Sequence, residues 1–294
     1  MKKPLLLPFI ALVGGAAAAV LRLLQNTTGF EEGTGLPIPG NLPATALVIL
    51  LVLLAAVLIL LVRRLPQKAA PAFPADFTAR DPRLLFVPMA GLFLMGISGV
   101  LDLVAGLGLT ETLIQSAVSA ADPSGMTSVV AISSSDGYSS QAHLILGVLD
   151  LLAAAGLFFA VRACGTKHRH SRLRFNGTWL LAPVLAMAVR LVLAYRVDSV
   201  NPALEAYYVE LLALVFLNLA FYRFSSFSFD AGRTRRFALY ACCAVVLCLA
   251  AFCDSSSLSA RLLEIGAGLC VLGFLLLHLT AASAPSGTGS EEIE

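Results

Sequence analysis

The sequence predicts an all-α protein, a polytopic bundle of eight membrane-spanning helices, and three observations predict it. Hydrophobic residues make up 58% of the 294 and charged ones 13%, about half the ~25% usual in soluble domains. The apolar residues, which raise the mean hydropathy to +0.86, come in blocks long enough to cross ~30 Å of hydrocarbon at ~1.5 Å per helical residue. The basic residues alternate in place with those blocks. Sixteen of the 20 fall before span one and in the loops after spans two, four and six. That is the positive-inside pattern, and it predicts that both termini are cytoplasmic.

The spans follow in order. The first, 4–24, succeeds Lys2-Lys3, and its Gly14-Gly15-Ala16-Ala17 stretch also fits a cleavable signal sequence. The apolar run continues past the small residues to Leu24, which favours a retained helix. An external, turn-rich segment, 25–43, leads to span two at 44–62. A basic, proline-containing cytoplasmic loop, 63–83, leads to span three at 84–107. The longest external piece, 108–141, holds a stretch from Thr110 to Ala121 that patterns as an amphipathic surface helix. Spans four to eight are expected at 142–162, 177–195, 203–222, 237–254 and 260–280. Residues 1–281 thus form one membrane domain, and 282–294 a flexible acidic cytoplasmic tail. The first and last four spans also admit superposition as a parallel 4+4 repeat, with Arg22 over Arg190 and Asp102 over Asp254. A second echo sets GVLDLVAGLG (99–108) beside GVLDLLAAAG (147–156).

Six ionisable residues lie inside these apolar runs: Arg22, Asp102, Asp150, Arg190, Glu210 and Glu264. A charge at the bilayer centre costs at least about 2.5–3.5 kcal/mol on insertion scales, so such residues turn toward protein. All six fall in the outer half of their spans. Asp102 is about 10 Å deep, Asp150 and Glu210 about 12 Å. Four acids face two arginines, and a dry interior holds such a surplus only if some acids are protonated, hydrated or neutralised by a bound cation. Arg261 and Glu264, three apart on one helix, are placed to satisfy each other. Glu205 and Asp254, at helix ends, call for no special partner.

Chemical motifs are sparse. Gly96-Ile97-Ser98-Gly99 matches the G-x-S-G of intramembrane serine proteases, but His143 lies ~13 Å away along the normal, beyond the reach of a general base. Asp102 and Asp150 lack the flanking motifs of intramembrane aspartyl proteases. None of the six cysteines forms a C-x-x-C, and they read as packing residues. Cys253, near the outer end of span seven, is the one to test for exposure. Asn26-Thr27-Thr28 and Asn176-Gly177-Thr178 match the glycosylation pattern. No phosphate-binding, dinucleotide, haem or zinc pattern occurs, so no cofactor, metal or catalytic residue is expected.

The segments LLAPVLAMAVRLVLAYR (180–196), NPALEAYYVELLALVFLNLAFYRFSSFSF (201–229) and RTRRF (233–237) resemble uncharacterised multi-pass membrane proteins of Gram-positive bacteria. The resemblance covers spans five to eight and implies a bacterial plasma membrane without implying an activity.

Two functions fit the charges. In the first, the protein is a small-solute or ion transporter, or a membrane subunit of one, and Asp102, Asp150, Arg190, Glu210, Arg22 and Glu264 form its solute or proton site. In the second it is a non-catalytic sensing or assembly module whose buried charges are structural ion pairs. The expected partner is the lipid bilayer, with a small cationic solute or a proton at the charged layer. No nucleic-acid partner is expected, and protein partners stay unassigned. A water-filled path to the charges favours the first function, a dry and mutually paired cluster the second.

Overall fold

The computed structural model of the chain describes residues 5–31, 36–65, 73–79, 81–109, 137–165, 176–199, 204–254 and 257–282. Within them lie eight α-helices: α1 (Leu6–Thr28), α2 (Leu42–Arg63), α3 (Phe86–Gly106), α4 (Ser140–Gly165), α5 (Leu181–Asp198), α6 (Leu204–Ser225), α7 (Thr234–Ala251) and α8 (Leu258–Ala282). All eight are long and apolar enough to cross a membrane. Among the described residues no strand forms beyond an isolated bridge between Phe30 and Pro37. The expected amphipathic stretch from Thr110 to Ala121 and the acidic tail lie outside the described residues.

Local chemistry explains several boundaries. α2 starts where the Asn41 side chain accepts the Ala44 N–H at 3.3 Å, with proline in the first turn. α5 is preceded by a 3₁₀ turn, Gly177–Leu180, and the Asn176 side chain caps it by accepting the Thr178 N–H at 3.2 Å. α7 stops at Ala251, three residues short of the expected end. There the Asp254 N–H donates to the Ala251 carbonyl at 2.8 Å and tightens the last turn. That turn tips Asp254 back among the helices, where it is buried.

α8 is the central helix, with most of its length buried. Small residues allow its close contact with α3. A Cβ on Gly91 would lie 2.5 Å from the Gly266 carbonyl oxygen, and one on Gly273 would meet the Pro88 ring at the same distance. α1 runs parallel to α7, with Gly15 against the backbone of Val246. In a bilayer, where lipid is as apolar as leucine, such close packing is what holds helices together.

The expected connecting loop between spans two and three is partly core. Phe77, on the 3₁₀ turn Ala75–Phe77, is fully buried. Its ring centroid lies 5.3 Å from Phe224, 5.1 Å from Phe227 and 4.8 Å from the His278 ring. Backbone bonds fasten the segment, from the Phe73 N–H to the Phe227 carbonyl and from the Ala79 N–H to the Cys164 carbonyl. His278 is itself buried, with Nδ1 3.2 Å from the Asp76 carbonyl and Nε2 3.0 Å from the Thr234 hydroxyl. This aromatic cluster closes the end of the bundle where α2 leads to α3. The charges gather toward the other end, where α1 leads to α2.

Candidate charged layer

The first cluster centres on Arg190 of α5. Its Nη2 donates to Asp102 Oδ2 at 2.6 Å and lies 3.6 Å from Asp150 Oδ2. The other Asp102 oxygen is 3.3 Å from Nδ1 of His143. Asp150 is fully buried, Asp102 and Arg190 nearly so, and His143 is 8% exposed at the margin. The echo between 99–108 and 147–156 has a physical purpose here. α3 and α4 pack antiparallel through those two segments, and a Cβ on Gly147 would lie 2.8 Å from the Gly99 carbonyl oxygen. Each glycine lets the backbones touch, and each aspartate, three residues on, is one helical turn from that contact. One arginine from α5 then reaches both carboxylates.

The second cluster joins α1 to the end of α7. Arg22 Nε donates to Asp254 Oδ1 at 2.5 Å, and Nη1 donates to Gln25 Oε1 at 3.0 Å. The guanidinium carbon also sits 5.4 Å from the centre of the Tyr208 ring. Asn26 supports the partner, donating to the Cys253 carbonyl at 2.8 Å and to Asp254 Oδ1 at 3.3 Å. Arg22 is fully buried. Asp254, expected to need no partner as a helix-end residue, is instead the counter-ion of a spanning arginine. Asn26, which opens a match to the glycosylation pattern, spends its amide inside this contact.

Glu264 of α8 stands apart from both clusters. It is 1% exposed, and neither carboxyl oxygen has a hydrogen-bond partner. The expected pairing with Arg261 does not form. No ion pair between them is present among the described residues, and Arg261 Nε is itself unbonded. The charged groups whose fields reach Glu264 are Glu210, Asp254, Arg190 and Arg261. Glu210 on α6 is half-buried. Of the six candidates, then, Arg190, Asp102 and Asp150 meet directly, Arg22 pairs elsewhere, Glu264 lies within electrostatic reach of both clusters, and Glu210 within reach of Glu264.

Sequence reasoning missed His143 and Asp254 as members of the layer. His143 carried a signal, being seven residues before Asp150 and so on the same helix face. Asp254 carried less, because an acid at the end of a span is ordinary until the chain turns it inward.

The serine motif has a packing role. Ser98 Oγ donates to the Ser259 carbonyl at 2.7 Å, tying α3 to the start of α8, while His143 is engaged with Asp102. Among the described residues no group of three or more His, Cys, Asp or Glu is placed to hold a metal ion. A cavity of about 570 Å³ lies between α3 and α4, lined by apolar residues that include Phe93, Gly96, Ala155 and Phe158. A smaller one of about 190 Å³ lies among α2, α6 and α7. Neither touches a member of the charged layer. Compared with models of protein families, with curated proteins and with solved structures, the chain matches none.

Proposed function

We propose that this protein is a multi-pass module of the plasma membrane, with both termini on the cytoplasmic side, that works without catalysis in sensing or in assembly with partners. Its buried charges act chiefly as clamps, one holding α5 to α3 and α4, the other holding α1 to α7. One observation carries the reading. Each arginine inside a span has a carboxylate oxygen within 2.6 Å and is almost wholly removed from solvent. A guanidinium so placed stays charged, and burying it without its counter-ion is costly, while a carboxylate so engaged has little left to offer a cationic solute.

A solute or ion transporter is the second reading. The observation in its favour is the pair of carboxyls, on Asp150 and Glu264, that lack hydrogen-bond donors. Yield and flux separate the two. On the clamp reading, Arg190→Leu or Asp102→Asn lowers the folded yield in membranes several-fold, because removing one partner strands a buried charge at a cost of about 3–5 kcal/mol. Asp150→Asn or Glu210→Gln, made at full yield but without a proton or cation flux that the parent shows in vesicles, would replace the clamps with transport.

A further inference from the structure

Glu264 poses a problem that the clamps do not solve. Six residues into α8, it is about 9 Å from the helix start. It is packed between Leu263 and Ala267 in a helix buried almost throughout. Of the two arginines whose charge reaches it, Arg190 is already committed to Asp102, with Asp150 close by. Arg261, one turn away on the same helix, donates no hydrogen bond to it.

The neighbours make the shortfall worse. From α6 Glu210 faces Glu264, and from the end of α7 Asp254 does, both adding negative charge. Arg190 from α5 and Arg261 oppose them from a distance. The Cys248 thiol of α7 lies close enough to feel the carboxyl, and Asp102 of α3 lies against Ser259 at the start of α8. None of these groups donates a hydrogen bond to either carboxyl oxygen.

An unpartnered carboxylate in such a place must be offset by something bound. The donor set does not suit a metal ion, since no cluster of ligating side chains surrounds it among the described residues. A proton needs neither ligands nor space. We propose that Glu264 is a proton-binding site, taking up and releasing one proton between the two arginine clamps. Losing the proton sets a negative charge facing Asp254, the counter-ion of Arg22, and Glu210, and it competes with Asp102 for Arg190. Proton occupancy at Glu264 thereby governs how firmly α1 is held to α7 and α5 to α3. The site goes beyond the clamp reading and does not require it.

A hydrophobic carbodiimide tests the site directly. A carboxylic acid adds its O–H across the reagent's N=C bond, and in a water-poor site the adduct rearranges to a stable N-acylurea with no leaving group. The protein in lipid vesicles is treated with dicyclohexylcarbodiimide across a pH series, and the modified residue is identified by peptide mass mapping. The expected result is an adduct on Glu264 that falls at least tenfold as pH is raised and is lost in Glu264→Gln. Because mapping reads the site in the unaltered chain, the test does not depend on that variant folding. An adduct independent of pH would mean a permanently neutral acid, and no adduct on Glu264 at any pH would mean an unreactive or charged one. Either result overturns the proposal. Neither bears on the clamps, which are tested through Arg190 and Asp102.

Discussion

Arg22 has no surface exposed to solvent at its place on α1, so protein must answer its charge. Asp254 accepts from Nε, Gln25 from Nη1, and the Tyr208 ring lies beside the guanidinium carbon. Removing one member of such a set leaves the others stranded, whereas removing both charges leaves an apolar gap. Arg22→Leu and Asp254→Leu are therefore each expected to lower thermal stability in detergent. The double variant should recover most of the loss, with a coupling of about 1–3 kcal/mol in a double-mutant cycle. Additive losses would mean that the pair carries no net interaction. At this scale the sequence named most of the layer, because a charge flanked by apolar residues on both sides must be buried. It did not name Asp254, whose burial depends on a turn that begins after Ala251.

The helices meet through glycine, and that governs where the charges end up. Gly99 and Gly147 let α3 and α4 touch backbone to backbone, which carries Asp102 and Asp150 within reach of one arginine. A leucine at 147 would drive its side chain into Leu103 and the Gly99 carbonyl. Gly147→Leu is accordingly expected to spread α3 from α4 and lower the melting temperature of the purified protein by several degrees. A control on the same helix, Gly96→Leu, is half-buried but has open space at its Cβ and should leave it nearly unchanged. Equal effects at the two positions would sink the account. The echo of GVLD was visible in the sequence, but its meaning was not, because a repeat on one line does not say that its copies face each other. Phe73 and Phe77 were hidden for a similar reason. A short segment rich in proline and charge reads as a loop, and only the Phe224, Phe227 and Phe237 rings waiting at the bundle end make it core.

Over the whole molecule, both clamps tie the first four helices to the last four: Arg22 to Asp254 and Arg190 to Asp102. They gather toward one end of the bundle, and the His278 aromatic cluster closes the other. Cys253 stands at the charged end, in the turn after α7, and is part-exposed. Its burial, and next the charge of Asp254, push the thiol above the ordinary cysteine range, against the pull of Arg22 and Arg261. Reaction with a membrane-impermeant maleimide on intact cells should thus be slow at neutral pH and rise at higher pH than for a free thiol. Labelling only after permeabilisation would place this end inside the cell and invert the proposed orientation.

Eight long apolar helices, and the ionisable residues set inside them, were determined by the sequence alone, since both follow from the cost of exposing polar groups to hydrocarbon, which each segment meets by itself. Which charge answers which was decided only in three dimensions. Asp254 and His143 entered the layer, Arg261 stayed out of it, and Glu264 was left without a donor, because pairing depends on helix contacts between residues as far apart in the chain as Arg22 and Asp254. Apolar runs fix how deep a residue lies and leave open which neighbour it meets.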